Sequence, residues 1–363
     1  MELLVIAPRP DAAEDGARLA AVLDAALHGI PYRMLTDMTA LPALRGRRLL
    51  FALALGRWGV NTAYTQLLLR LRREPTLLER CTAALVVDGA GEFYTKSTAA
   101  ELALAANLAG CAFIGRPLVE GTGSLCNFRV QAKLLHTDLD GAYRDNVREL
   151  AERLLAPPLP MPQQAKLLAL HASSYHTSNT MQLWAQVKRR LGGGCDVTEI
   201  GLRNGAVSDC AGCPYTACLH FGEKDRCFYG GLMQDEVWPA VRRCDAVVLL
   251  CPNYNDALSA NLTAFINRLT GLFRQTRFYD KAVFAIVVSG YSGGDTVARQ
   301  VISAMNMNKS FRLPARFALI ETANDPGEAL TLPGMEQRLD AFARRIRDTL
   351  LAPDAGGAPR SRE

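Results

Sequence analysis

Apolar residues in this chain fall into short unbroken runs rather than alternating ones. "LLVI" near the start, "LLFALAL" (49–55) and "AALVV" (83–87) are followed later by "LLAL" (167–170), "AVVLL" (246–250) and "FAIVV" (284–288). Strands buried on both faces read this way, whereas a sheet with one wet face alternates. Between the runs lie stretches with apolar residues at helical spacing, such as "ARLAAVLDAAL" (17–27) and "MQLWAQVKRRL" (181–191), each with a stripe for packing on a sheet. Alternating strands and helices of this kind predict parallel sheets covered by helices on both faces, with right-handed crossovers.

The pattern occurs twice. "MELLVIAPRP" is matched by "AKLLALHASS" (165–174), "LLFALALGRWGVN" (49–61) by "AVVLLCPNYNDA" (246–257), and "AALVVDGAGE" (83–92) by "FAIVVSGYSGG" (284–294); both halves close on "LLAP". Four prolines in "LLAPPLPMPQQAK" (154–166) interrupt the helical pattern between the copies, marking a boundary. Each half is therefore expected to run β-α-β-α-β-α-β-α-β-α, a doubly wound domain with a five-stranded parallel sheet. The expected boundaries are a first domain over 1–156, a Pro-rich linker over 157–166, a second domain over 167–353 and a disordered tail over 354–363.

Composition narrows the class without naming it. With 49% hydrophobic and 21% charged residues, the chain is too apolar for intrinsic disorder. Its apolar runs fall short of the roughly 18 residues that suggest a membrane span. "MELLVIAPRPD" lacks a basic leader region, so a cytoplasmic location and no membrane partner are expected. The net charge of +5 is small, and Arg-rich pieces such as "RRIR" (344–347) sit at helical spacing among apolar residues. That reads as a solvated helix face, so no nucleic-acid partner is expected.

Candidate chemistry concentrates in three loops of the second half, each following a predicted strand. The first, "HASSYHTSNT" (171–180), places Ser173, Ser174, Thr177, Ser178, Asn179 and Thr180 before a helix, where free N–H groups and the helix dipole favour an anion. A helix cap needs one such side chain. The second and third are "CPNYNDALSAN" (251–261) and "SGYSGGD" (289–295). In an open α/β sheet ligands bind outside the carboxyl ends of the strands, and Pro252 and Tyr254 there could wall a planar ring.

These residues resemble the flavodoxin-like NADPH-dependent FMN reductase and iron–sulfur flavoprotein family. Its phosphate loop has the form "GSxRxxSNT" and its third-strand loop "PxYxxxxSAxLKxFIDR"; here Ser173, Ser178, Asn179 and Thr180 match the first, and "PNYNDALSANLTAFINR" (252–268) the second. Ala172, Tyr175 and Asn267 depart from the pattern. The resemblance implies two tandem flavodoxin-like domains, with FMN in the second. The cofactor contacts it implies are Ser173, Ser174, His176, Ser178, Asn179, Thr180, Pro252, Asn253, Tyr254, Asn255, Ser289, Gly290, Tyr291 and Gly293. NAD(P)H is then a transient donor, since no "GxGxxG" fingerprint occurs. The expected activity is an NAD(P)H-dependent flavin oxidoreductase passing electrons from NAD(P)H or a carrier through FMN to a quinone, flavin or protein acceptor. A non-enzymatic electron carrier or redox sensor, and a zinc-stabilised scaffold, are the competing readings.

An insertion of about thirty residues in the second half carries Cys210, Cys213, Cys218 and Cys227 over 209–228. The spacing C-x2-C-x4-C-x8-C suits a tetrahedral metal site. Position beside the flavin favours a [4Fe-4S] cluster, as in the iron–sulfur flavoproteins, with zinc, a Cys3His site through His220, or free thiols as alternatives. The other six cysteines read as buried structural thiols. The first half replaces the phosphate loop with "APRPDAAEDG" (7–16), whose prolines and acids disfavour a phosphate. It reads as a copy that lost FMN and covers the second half's site as an intramolecular pseudo-dimer, a homodimer being the alternative. No catalytic acid or nucleophile stands out; His176 and Tyr254 read as cofactor contacts.

Overall fold

The computed structural model describes residues 2–173, 178–224 and 226–352. Two five-stranded sheets are present, with strand orders β2-β1-β3-β4-β5 and β10-β9-β8-β6-β7, and every pairing within them is parallel. The strands of the first are β1 (Leu3–Ile6), β2 (Tyr32–Leu35), β3 (Arg48–Leu55), β4 (Thr82–Gly89) and β5 (Ala112–Gly121). Those of the second are β6 (Ala165–His171), β7 (Cys195–Gly201), β8 (Ala246–Pro252), β9 (Ala282–Ser289) and β10 (Ala318–Thr322). Read from the same end, the two orders are the same doubly wound order, so the expected fold class stands.

The helices of the first half are α1 (Ala13–Ala26), α2 (Thr62–Arg73), α3 (Thr95–Leu108), α4 (Arg129–Leu135) and α5 (Leu139–Leu155). The second half holds α6 (Asn179–Leu191), α7 (Tyr215–Gly222), α8 (Trp238–Arg243), α9 (Ala260–Phe273), α10 (Gly294–Val301), α11 (Glu328–Thr331) and α12 (Met335–Leu350). Each sheet buries its apolar strands under a helix layer. In the first, Leu3, Val5, Leu50, Ala84 and Val86 meet Leu19, Val22, Val147 and Leu150. In the second, Leu167, Val248, Phe284 and Ile286 meet Trp184, Val187, Leu339 and Phe342.

One expected element is missing. No helix joins β2 to β3, because 36–47 is an irregular crossover in which Asp37 accepts from the Thr39 N–H at 2.9 Å and Pro42 and Gly46 break any helical run. Met38, Leu41 and Leu44 are buried, so apolar side chains on a loop do the covering that a helix was expected to do.

The chain divides into two compact units that cut across the repeat. One comprises Met1–Pro157, Arg277–Tyr279 and Ala298–Phe317; the other comprises Pro158–Thr276, Asp280–Val297 and the remainder from Ala318. Within the first unit the segment after α10 is a π-helical turn, Ile302–Asn308, whose buried Asn306 donates to the Ile114 and Phe311 carbonyls at 2.9 and 2.7 Å. Buried Asn107 likewise donates to the Cys111 and Pro314 carbonyls and accepts from the Phe317 N–H. Such paired buried amides are costly to break. The second unit contains all three candidate loops and the cysteine insertion.

Candidate functional site

The second unit's loops gather because β6, β8 and β9 are adjacent and parallel, so their carboxyl ends lie along one sheet edge. At the end of β6, buried His171 turns its Nδ1 to the Ser173 carbonyl at 3.3 Å, and burial holds its pKa below the usual imidazole range. Ser178 caps α6: its Oγ accepts from the Met181 N–H at 3.4 Å and lies 2.6 Å from the Thr180 hydroxyl. Asn179 points its amide elsewhere, donating to the Asp325 carbonyl and accepting from the Gly327 and Ala329 N–H groups. It ties the loop after β10 to the start of α6. Ser174 and His176 lie outside the described residues.

The loop after β8 is a tight reversal. Tyr254 and Ala257 bridge to each other, and Asn255 and Asp256 both take left-handed backbone (φ 55° and 57°), as in a type I′ turn, where Asn and Asp are tolerated. Asn253 then locks this reversal to the loop after β9: its Nδ2 reaches Ser289 Oγ at 3.1 Å, the Ser292 carbonyl at 2.9 Å and Asp256 Oδ1 at 3.2 Å. Gly293 (φ +83°) has no room for a side chain, since a Cβ would stand 1.9 Å from Asp256 Oδ1. Tyr254 and Tyr291 remain 58% and 82% exposed on either side of this lock, and Gly290 lies beside Asn324.

The donor set fits a polar cofactor. Ser173 Oγ, Asn253 Oδ1 and Ser259 Oγ are buried without a hydrogen-bond partner, a state costing about 1–3 kcal/mol per group unless something binds there. Ser173 stands just before the capped start of α6, while Pro252, Asn253 and Tyr254 lie on the loop after β8 and Ser289, Gly290, Tyr291 and Gly293 on the loop after β9. Sequence reasoning overlooked Ser259 and Asp256; the "SA" of the matched motif pointed to the first. Cys251 beneath the site is buried and its thiol is pushed well above the ordinary range, so it offers no thiolate.

The expected metal site finds no support among the described residues. Among the described residues, no group of three or more His, Cys, Asp or Glu side chains is placed to hold a metal. Cys218 sits on α7 with its N–H bonded to the Pro214 carbonyl, whereas Cys227 is fixed by Gln234, and Cys210 is exposed. Neither a [4Fe-4S] cluster nor a zinc ion at Cys210, Cys213, Cys218 and Cys227 is supported by this arrangement. Of the six scattered cysteines, Cys81, Cys111, Cys244 and Cys251 are buried as expected, but Cys126 is exposed and Cys195 half-buried.

Arg268 of the "FINR" stretch is buried and donates to the Ser208 and Gly230 carbonyls at 3.4 and 2.8 Å, gripping both ends of the insertion. Asn267, where the motif has an acid, donates to Asp209 Oδ1 at 3.0 Å.

At the corresponding edge of the first sheet the same positions are filled by protein. Asp11 accepts from the Thr62 N–H, and Arg18 forms a bidentate pair with buried Asp88 while donating to the Gly89 and Gly123 carbonyls. The Tyr94 ring lies on Gly59, closing the gap between the loops after β3 and β4.

Residues 165–325 match the family model of NADPH-dependent FMN reductase. The resemblance read in the C-terminal half is thereby borne out over those residues. Similar solved structures include an NADH:FMN oxidoreductase (15% identity, TM-score 0.37, covering 53% of this chain and 93% of that one). An NAD(P)H:quinone oxidoreductase from Methanothermobacter marburgensis matches at 14% identity and TM-score 0.39, over 51% of this chain and 98% of its own. A WrbA-like flavodoxin from Agrobacterium tumefaciens matches at 12% and 0.34, over 51% and 98%. No curated protein matches the chain. No helix among the described residues is long and apolar enough to cross a membrane.

Proposed function

We propose that the chain is an FMN-dependent NAD(P)H oxidoreductase whose second unit holds the flavin, with the first unit contributing no cofactor. The observation that carries this reading is the set of unpartnered buried oxygens on Ser173, Asn253 and Ser259, at the edge where the three loops meet. FMN, when bound, supplies a ring that accepts a hydride and releases its electrons together or singly. The protein binds the phosphate with Ser173 and the N-terminus of α6. Asn253 and Gly293 keep the two ring loops at a fixed separation, and Tyr254 and Tyr291 flank an open face that a nicotinamide and then an acceptor use in turn. The acceptor is a quinone, a free flavin or a protein group. At the first sheet the Arg18–Asp88 pair and Tyr94 occupy the corresponding place, so one FMN per chain is expected.

Titration of the flavin-free protein with FMN, followed by quenching of flavin fluorescence, tests this. The reading predicts saturation at one FMN per chain and affinity lowered about tenfold or more by Ser173→Ala together with Ser178→Ala. Absence of binding, or binding indifferent to both changes, would overturn it.

A further inference from the structure

The phosphate side of the flavin site lacks a cation of its own. The loop over 171–180, "HASSYHTSNT", contains no lysine or arginine, and burial holds His171 below the usual imidazole range. A phosphate monoester carries about −1.5 to −2 charges near neutrality, which the roughly +0.5 of a helix N-terminus does not neutralise.

Gly201 shows where a cation stands. It pairs with His171 in the β6–β7 register. A Cβ there would lie 3.3 Å from His171 Cε1 and 3.7 Å from Arg203 Nε. The Arg203 side chain therefore folds back over the end of β7, beside the imidazole whose Nδ1 meets the Ser173 carbonyl at 3.3 Å. This is the face that α6 covers. Leu167, Ala169 and Val197 pack with Trp184 and Val187, and strand alternation puts His171, Glu199 and Gly201 on the same side. Trp184 Nε1 donates to Glu199 at 3.2 Å. From that contact β7 advances about 7 Å to Gly201, while α6, running the other way, reaches its first residue Asn179 after about 7.5 Å. The first turn of α6 is thus level with the end of β7, and Arg203 stands just beyond both.

The backbone at this point is fixed and the side chain is not engaged. Buried Leu202 gives its N–H to the His171 carbonyl and takes Asn261 Nδ2 on its own carbonyl, both at 2.7 Å, and the Ala206 N–H returns to the Arg203 carbonyl at 3.1 Å. The Arg203 guanidinium is exposed and makes no ion pair or hydrogen bond among the described residues. Glu199, the acid on its strand, is taken by Lys188 at 2.6 Å and by Trp184. In the first half the turn after β2, over 36–40, carries Asp37 and no basic residue.

We infer that Arg203 is the counter-ion of the flavin phosphate and the residue by which the second unit selects a phosphorylated flavin over riboflavin. The inference rests on the flavin reading above. Ser173, Ser178 and the start of α6 supply hydrogen bonds to the phosphate, and Arg203 supplies the charge from the neighbouring strand.

The test titrates the flavin-free full chain with FMN and with riboflavin, followed by fluorescence quenching at low and at high salt, for the wild type, Arg203→Gln and Arg203→Lys. Arg203→Gln is expected to lower FMN affinity about tenfold or more and to leave riboflavin affinity unchanged, with partial recovery in Arg203→Lys. Salt should weaken FMN binding in the wild type and do so less steeply in Arg203→Gln. An FMN affinity and salt dependence untouched by Arg203→Gln overturn the inference and leave the flavin reading standing. Equal losses for FMN and riboflavin without recovery in Arg203→Lys mark a structural role and overturn it as well. A wild type that does not bind FMN removes both.

Discussion

Asn253 spends one amide on two loops, and its loss is the residue-level change with the clearest outcome. Asn253→Ala removes three hydrogen bonds to Ser289, Ser292 and Asp256, and at about 1 kcal/mol each FMN affinity should fall by a factor of about ten to one hundred. Flavin fluorescence titration would show it; an unchanged affinity would mean the loops are positioned by something else. His171 provides a pH signature. Burial lowers its folded pKa below the ordinary 6.5, so just below pH 6.5 the unfolded chain binds more protons than the folded one. Stability therefore rises with pH through that window and is lost as pH falls through it. Urea midpoints between pH 5 and 7 should show this slope, and His171→Gln should flatten it. Much of this site was legible in the sequence. The hydroxyls at 173 and 178 and the turn-forming Asn255 announce themselves locally. The amide of Asn179 does not, because its partners lie about 146–150 positions away, where no local pattern reaches.

At the level of elements, the insertion depends on α9. Arg268→Ala would leave the Ser208 and Gly230 carbonyls without their buried donor, costing about 2–3 kcal/mol, and should expose 203–230 to faster hydrogen exchange or proteolysis while the sheet core stays protected. Uniform loss of protection would instead mean that Arg268 supports the whole unit. The cysteine spacing was visible in the sequence, but convergence of four thiols needs three-dimensional placement that spacing does not determine, and no such group forms among the described residues. The missing helix between β2 and β3 has the opposite lesson. Leu41 and Leu44 supply apolar spacing there, yet Pro42 and the Asp37 turn override it.

For the whole molecule, the repeat predicted the two five-stranded parallel sheets, since continuous apolar runs in this setting read as buried parallel strands. It did not predict that 277–279 and 298–317 pack into the first unit, because those segments look like ordinary parts of the second copy. A chain cut at 157/158 should consequently fail as an isolated second half. Phe278, Phe311, Leu313 and Phe317 are fully buried, and four such side chains turned to water cost about 1.5–3 kcal/mol apiece. Size-exclusion chromatography and thermal melting of the 158–363 fragment should show aggregation or a lowered, broadened transition; a monomer melting like the full chain would contradict this.

The most direct test of the central claim is anaerobic mixing of the FMN-loaded full chain with NADPH and, separately, NADH, while the oxidised-flavin absorbance is followed. The account predicts that one FMN per chain is bleached by at least one of the two nucleotides and recovers when an acceptor is added. Bound flavin that neither nucleotide reduces, though dithionite does, would contradict an NAD(P)H oxidoreductase and leave an electron carrier in its place.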